Sequence, residues 1–312
     1  MSESESGLSV PGNVGAPPLP PGPVPLGFVP PQWAMASPAP PSPPPTGGGP
    51  FLNAPLIPPT TRKQAWLWLV FALAGFLVGQ LGAAVFGEVA GAIAGKSGTQ
   101  MTIIISAAVP PEWYVVSTLL GLWIGFIGAP WLASRIQGTR RFLSDMGVRF
   151  RPIDLVGIAI GVGGQFAIAL LYAPFRHDIH NFNAPSQKLT GGAHGGGFLI
   201  IAVATVLFAP LMEELFFRGL LFKALVRLFT PSGVRAGRAR ATGVVLAVIL
   251  DGLLFGLAHG ELVQLAGLAL FGMVLASLSY RTGRLGMNIV AHASFNLVAV
   301  LAILSSRGGV LH

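Results

Sequence analysis

Long apolar segments recur along the chain from Trp66 to near its C-terminal end. A helix needs about 20 apolar residues to cross about 30 Å of hydrocarbon. Seven segments meet this length and each predicts a transmembrane helix: residues 66–87, 113–134, 154–173, 198–222, 241–259, 262–280 and 286–305. A further apolar stretch, 101–110, is too short to span and is a candidate re-entrant or interfacial piece. The pattern predicts an all-α, polytopic transmembrane helix bundle of about seven spans.

The first 60 residues have a different composition, with 19 of the chain's 27 prolines and many glycines and serines. Such a segment cannot bury a hydrophobic core, so we expect a disordered tail with local polyproline II structure. Glu3 and Glu5 stand where a signal peptide carries basic residues, which argues against a signal peptide. We therefore divide the chain into a Pro-rich cytoplasmic tail (1–60), N-terminal transmembrane helices with a basic loop (61–150) and a C-terminal transmembrane core (151–305).

The composition agrees with a membrane protein. Only 10% of the residues are charged and 52% are hydrophobic, whereas soluble domains carry about 25% charged residues. The chain has no cysteine, which excludes disulfides, thiolate zinc sites and a cysteine nucleophile.

The positive charges lie unevenly around the predicted spans. Fourteen of the 19 Lys and Arg residues fall in alternate connections beginning with the segment before the first span, and four fall in the others. Because Lys and Arg accumulate in cytoplasmic loops, this pattern predicts a multi-pass cell-membrane protein with a cytoplasmic N-terminus and an external C-terminus. It also explains the net charge of +8 without a nucleic-acid partner.

Glycines recur at helical spacing in several spans, and such stripes let membrane helices approach closely. We interpret them as contacts within the bundle rather than as a dimer interface: Gly75/Gly79, Gly87/Gly91/Gly95, Gly121/Gly125 and Gly157/Gly161.

A few polar side chains lie inside the spans, where each costs several kcal/mol and is usually paired or functional. They are Glu213, Glu214, Arg218, Asp251, His259, His292 and Asn296.

Helical geometry sorts the polar residues of the fourth span. Glu214 and Arg218 are four residues apart and face the same side, so they can form an ion pair. Glu213 is turned by about 100° from Glu214 and has no partner on its own helix. A buried carboxylate without a partner is a candidate general base. Counted from the connecting turn, His259 lies at nearly the height of Glu213, so the two can meet.

His292 and Asn296 are also four residues apart, and one helix face would present an imidazole and an amide as oxyanion donors. His292 is only about six residues into the seventh span, shallower than Glu213. If the two meet, at least one helix must be tilted, broken or extended beyond the bilayer.

These residues form three motifs in order, Glu213-Glu214-x-x-x-Arg218, Phe255-x-x-x-His259 and His292-x-x-x-Asn296. In this order on membrane helices they resemble the CPBP (Abi) family, which comprises type II CAAX prenyl proteases and bacteriocin-processing enzymes, a class of intramembrane glutamic proteases. The resemblance covers roughly residues 150–305.

The resemblance implies a set of roles. Glu213 and His259 would activate a water for attack on a peptide carbonyl, while His292 and Asn296 would stabilise the oxyanion. The supporting residues would be Glu214, Arg218 and Phe255. No cofactor is required by this scheme, although one Glu and two His could hold a metal such as zinc, and a metal-dependent peptidase stays open.

Several other residues have no place in that pattern. Asp251 shares a helix face with Phe255 and His259 and could pair with an arginine of the 235–240 cluster. Glu261 is expected in the turn after His259. The histidines and aspartate of an outer loop are a weak candidate metal site: His177, Asp178, His180 and His194.

Two other function classes remain open. A transporter or channel could use the same polar residues as an ion relay, but no internal repeat is evident. A membrane adaptor or bacteriocin-immunity protein could recruit a protein partner through the Pro-rich tail. For the peptidase, the expected partners are the lipid bilayer and a peptide or membrane-protein substrate, and the sequence does not identify that substrate or its prenylation.

Overall fold

A computed structural model describes residues 61–175, 193, 195–230 and 238–308. Its helices are α1 (Arg62–Ile93), α2 (Gly98–Ser106), α3 (Glu112–Gln137), α4 (Phe142–Met146), α5 (Val156–Tyr172), α6 (Gly195–Phe229), α7 (Arg238–Ala258), α8 (Leu265–Thr282) and α9 (Gly286–Gly308). Short 3₁₀ turns flank α5 at Pro152–Leu155 and Ala173–Phe175. The described residues contain no β-strand.

Seven of these helices are long and apolar enough to cross a membrane, which confirms the predicted all-α bundle of about seven spans. They are α1, α3, α5 with its flanking turns, α6, α7, α8 and α9. The short stretch after the first span forms α2, which has only nine residues. The predicted disordered tail and the outer-loop histidines lie outside the described residues.

The first helix extends beyond its hydropathy segment because a polar cap begins it. Helix α1 begins at Arg62, four residues before the predicted span. The Thr61 hydroxyl accepts from the Gln64 backbone N–H, and the Gln64 side chain accepts from the Thr61 backbone N–H. This capping box satisfies backbone donors that a helix end leaves free.

Glycines bring α1 and α3 into backbone contact. A Cβ atom added to Gly125 would lie 2.0 Å from the carbonyl oxygen of Gly75, and one added to Gly82 would lie 2.4 Å from that of Gly121. Only glycine permits this approach. The interpretation of these stripes as contacts within the bundle is confirmed for this pair of helices.

Close backbone approach at a glycine also places α5 against α9, the helix that carries His292 and Asn296. A Cβ atom on Gly161 would lie 2.0 Å from the Ala291 carbonyl oxygen. We expect Gly161→Ala to separate the two helices and to lower the free energy of unfolding by about 1–3 kcal/mol, as overpacking does. Thermal unfolding in detergent measures this loss.

Gly163 provides the matched control, since a Cβ there has no neighbour within 4 Å. Gly163→Ala should leave the melting temperature unchanged or slightly higher. Equal losses for the two variants would show that the close approach of α5 and α9 does not limit stability.

Helix α6 is the irregular centre of the bundle and packs against α1, α3, α7, α8 and α9. It contains two π-helical segments, Ala204–Phe208 and Glu214–Leu221, on either side of Glu213. Such segments change the direction in which the following side chains point. The two adjacent glutamates therefore lie within a helix whose rotation differs from that of a regular α-helix.

The depth mismatch noted for His292 is explained by the length of α6. Glu214 contacts Asn288, which is two residues into α9. Beyond Glu214, α6 continues for fifteen residues to Phe229, which is roughly 22 Å of helix. Along this extension Lys223 donates from Nζ to the Asp145 carbonyl oxygen, in the basic loop region after α3. Thus α6 extends past the level at which α9 begins.

Candidate active site

Glu213, His259 and His292 come together from α6, the end of α7 and α9; the sequence predicts that Glu213 and His259 can meet and leaves the depth of His292 open. The Glu213 Oε2 atom lies 3.6 Å from His292 Nε2 and 4.0 Å from His259 Nε2. The site is open on one side, since 31% of the His259 side chain and 17% of the Glu213 side chain are exposed, against 4% for His292. A substrate would reach Glu213 from the side of His259.

The orientation of His259 is fixed by its own helix. Its Nδ1 atom lies 2.8 Å from the carbonyl oxygen of Phe255, one turn earlier. A carbonyl oxygen only accepts, so Nδ1 carries the hydrogen and donates. In the neutral ring Nε2 then has a free lone pair, and this is the nitrogen that faces Glu213.

His292 is oriented by the second glutamate. Its Nδ1 atom lies 3.0 Å from Glu214 Oε1. The Glu214 carboxylate is paired with Arg218 and accepts, so Nδ1 donates to it. The opposite nitrogen, Nε2, faces Glu213. A carboxylate that fixes one imidazole nitrogen so that the other faces the reaction site is a recurrent catalytic arrangement.

Three hydrogen-bond acceptors therefore face one another when both rings are neutral: Glu213 Oε2 and the two Nε2 atoms. Among the described residues no group donates a hydrogen bond to Glu213 Oε2, which is buried. A water molecule carries two hydrogens and would satisfy two of these acceptors at once. The arrangement suits the binding and deprotonation of a water.

Beneath this site lies a buried charge network. Arg218 donates from Nη1 to Glu214 Oε1 at 2.9 Å and from Nη2 to the Gly272 carbonyl oxygen at 3.0 Å. Its Nε atom lies 3.3 Å from Asp251 Oδ2, within ion-pair distance but without hydrogen-bond geometry. The side chains of Glu214, Arg218 and Asp251 have no exposed surface. The predicted Glu214–Arg218 pair is present.

The sequence offered the arginines around 235–240 as possible partners of Asp251, and the structure places Arg218 in contact with it. Asp251 is fully buried in the middle of α7 and faces Arg218 of α6. The position of Asp251 along its helix explains this partner, since it lies more than three helical turns above the start of α7.

Phe255 lies between the charge network and the histidines and is 1% exposed. Its ring centroid is 4.4 Å from the Arg218 guanidinium carbon, 4.8 Å from the His259 ring and 5.5 Å from the His292 ring. It therefore forms an apolar wall beside both histidines and also stacks against a buried cation.

Asn296 of α9 is hydrogen-bonded to the backbone of α6. Its Nδ2 atom donates to the Thr205 carbonyl oxygen at 2.8 Å. In this π-helical segment Ala209 donates to the carbonyl five residues earlier, at Ala204. The Thr205 carbonyl would need the N–H of residue 210, which is a proline and has none. Asn296 thus satisfies a carbonyl that Pro210 leaves free.

Three groups that contact the site residues were not identified from the sequence. Asn288 donates from Nδ2 to Glu214 Oε2 at 3.2 Å and to the Leu275 carbonyl at 2.6 Å. Phe271 packs with its ring centroid 5.9 Å from that of His292. Asn288 lies one turn before His292 on the same face, so its spacing was a usable signal. The backbone acceptor at Gly272 carries no such signal.

Glu261 lies in the turn between α7 and α8, as expected. Within the described ranges, no group of three or more His, Asp and Glu side chains is arranged to hold a metal ion.

Comparison with known proteins places these residues in a family context. Residues 195–298 match the family model described as type II CAAX prenyl endopeptidase Rce1-like. This segment includes Glu213, His259, His292 and Asn296, and the match is consistent with membership of the CPBP family. No curated protein and no solved structure matches the chain. The domain and the seven spans support a CAAX-protease-like function within the membrane.

Proposed function

We propose that this protein is an intramembrane endopeptidase in which Glu213, assisted by His259, activates a water for peptide-bond hydrolysis. The observation that carries the proposal is the convergence of Glu213 Oε2 with His292 Nε2 at 3.6 Å and His259 Nε2 at 4.0 Å, on the open side of a buried charge network. We infer that the chemistry uses no metal.

In the first step the water gives a proton to the Glu213 carboxylate and its oxygen attacks the peptide carbonyl carbon. His259 accepts the second hydrogen bond of this water through Nε2 and orients it. General-base assistance of this kind contributes about 10²–10⁴-fold to the rate. The product of the step is a tetrahedral intermediate with a negative oxygen.

In the second step the proton held by Glu213 passes to the nitrogen of the leaving amine. The carbon–nitrogen bond then breaks, which releases one product with a new carboxylic acid group and one with a new amine, and the acid group then gives its proton to the amine or to solvent. The carboxylate of Glu213 is regenerated, so no covalent enzyme intermediate is formed.

The oxyanion requires donors, and we assign this role to His292 and Asn296. His292 has a carboxylate beside each ring nitrogen, and in its protonated form it can donate from Nε2. The Asn296 amide uses one hydrogen on Thr205, and its second hydrogen has no partner among the described residues. Such preorganised donors are usually a large catalytic term.

The same proposal includes topology and partners. We infer a cell-membrane protein with a cytoplasmic N-terminus and an external C-terminus, in contact with the lipid bilayer. Its substrate would be a peptide or membrane protein, either a prenylated CAAX-type chain or a bacteriocin-type precursor. The Pro-rich tail is a candidate site for a protein partner, and no nucleic-acid partner is expected.

Comparison of membrane-protein fragments tests this function. New N-termini should appear in cells that express the wild-type chain and should be absent from cells that express Glu213→Ala or His259→Ala at equal abundance. Identical fragments in all three would refute a peptidase. Ion flux through proteoliposomes that depends on Glu213 would indicate a transporter. A phenotype lost on deletion of residues 1–60 but kept in Glu213→Ala would indicate an adaptor.

Metal dependence is tested separately. We expect purified active protein to contain far less than one metal ion per chain, and cleavage to persist after treatment with a zinc chelator. Elemental analysis and the cleavage rate before and after chelation measure this. Near-stoichiometric zinc that is lost together with activity, and restored with it, would establish the metal-dependent alternative.

A further inference from the structure

Asp251 is a buried carboxylate for which neither the family motifs nor the proposed reaction has a use. It lies on α7, two turns before His259, and its side chain is completely buried. Neither of its oxygens receives a hydrogen bond from the described residues. Burial of an ionised carboxylate is costly unless a charge compensates it, and the cation in contact with it is Arg218.

Arg218 is held from three directions. Nη1 donates to Glu214 Oε1, Nη2 donates to the Gly272 carbonyl oxygen, and Nε faces Asp251 Oδ2. The ring of Phe255 covers the guanidinium. Without Asp251 the Nε end would lose its counter-charge, and among the described residues the Glu214 carboxylate would remain as the one anion paired with the guanidinium.

The position of Arg218 affects the reaction site through one shared atom, Glu214 Oε1. Glu214 Oε1 contacts both Arg218 Nη1, at 2.9 Å, and His292 Nδ1, at 3.0 Å. A displacement of the guanidinium therefore moves the oxygen that orients the His292 imidazole. The other end of that imidazole is the Nε2 atom that faces Glu213.

We propose that Asp251 is a positioning residue, which acts through Arg218 and Glu214 to fix the imidazole of His292 against Glu213. Five groups from three helices form this line: Asp251 of α7, Arg218 and Glu214 of α6, His292 of α9, and again Glu213 of α6. His259 is held separately by the Phe255 carbonyl oxygen. The proposal deepens the proposed peptidase site and rests on it for its effect on catalysis.

The test measures how readily each of the two imidazole rings is chemically modified, and it needs no substrate. Diethyl pyrocarbonate modifies neutral, accessible imidazole rings, and residue-resolved mass spectrometry measures the rate at each one in the full-length protein in detergent. In Asp251→Ala we expect His292 to be modified severalfold faster than in the wild type, whereas the rate at His259 stays the same. Asp251→Asn also removes the charge but keeps the side-chain shape, so it should show a smaller change of the same sign.

A matched control is available in Asp154, which forms a buried ion pair with Arg284 at the start of α9. Asp154→Asn removes the same charge from the same kind of pair, and His292 should keep its wild-type rate of modification. Circular dichroism and the melting temperature identify variants that have not folded. If Asp251→Ala does not fold, Asp251→Asn alone decides.

Two results would overturn the proposal. Wild-type modification of His292 in folded Asp251 variants would show that Asp251 does not position it. An equal rise at His259 and His292 would show general loosening of the bundle. On a peptide that spans a cleavage site found in the fragment comparison, Asp251→Asn should lower kcat by about 10- to 100-fold and leave KM unchanged. If no cleavage site exists, the peptidase proposal fails but the modification result still stands.

Discussion

Replacing Glu213 with glutamine is expected to lower peptide cleavage by about 10²–10⁴-fold while the bundle stays folded. The amide cannot take the proton from the attacking water. The fold should persist because Glu213 Oε2 has no hydrogen-bond donor among the described residues and the side chain is partly exposed. The measurement is the cleavage rate of purified protein in detergent, together with its melting temperature.

Glu261 supplies the matched control for this substitution. It is a carboxylate in the turn that follows His259, and among the described residues the ion pairs of the two histidines are with Glu213 and Glu214 rather than with Glu261. Glu261→Gln should therefore keep the wild-type cleavage rate. A Glu213→Gln variant that retains full activity, or an equal loss in both variants, would contradict the assignment of the general base.

Replacing Arg218 with methionine is expected to give the largest loss of stability, about 3–5 kcal/mol of the free energy of unfolding. The substitution leaves Glu214 and Asp251 buried and close together without their shared cation. It also removes the donor to the Gly272 carbonyl oxygen. The observables are lower abundance in the membrane and a lower melting temperature in detergent.

Removal of the two anions separates the charge effect from the loss of packing. In the triple variant Glu214→Gln, Arg218→Met, Asp251→Asn no buried charge remains uncompensated, so much of the lost stability should return. Activity should stay low because His292 has lost the carboxylate that orients it. A triple variant no more stable than Arg218→Met alone would show that packing of the arginine side chain, rather than its charge, stabilises this region.

The architecture could be predicted well from the sequence because hydropathy and length are local properties. All seven predicted spans are present with shifted ends, and a polar cap accounts for the earlier start of α1. The helical pairing of Glu214 with Arg218 could also be predicted, since it depends only on a spacing of four residues. The small-residue stripes predicted close approach, although not which helices would meet.

The partner of Asp251 could not be predicted in this way. Its ion pair with Arg218 joins α7 to α6, and the contact depends on the relative height and rotation of two separate helices. The depth of His292 was unresolved for the same reason, since hydropathy gives no measure of how far α6 extends past the level at which α9 begins. Asn296 illustrates a second limit, because its acceptor exists only where Pro210 interrupts the hydrogen bonding of a π-helical segment.

The sequence by itself determined that this is a seven-span helical membrane protein and which few polar residues lie inside it, because the low charge content makes those residues stand out. Only the tertiary structure decided how they are connected. It placed both nitrogens of His292 between Glu213 and Glu214 and put Asp251 behind Arg218. The physical reason is that composition and periodicity describe one helix at a time, whereas a site built from α6, α7 and α9 depends on the depth and rotation at which the three helices pack.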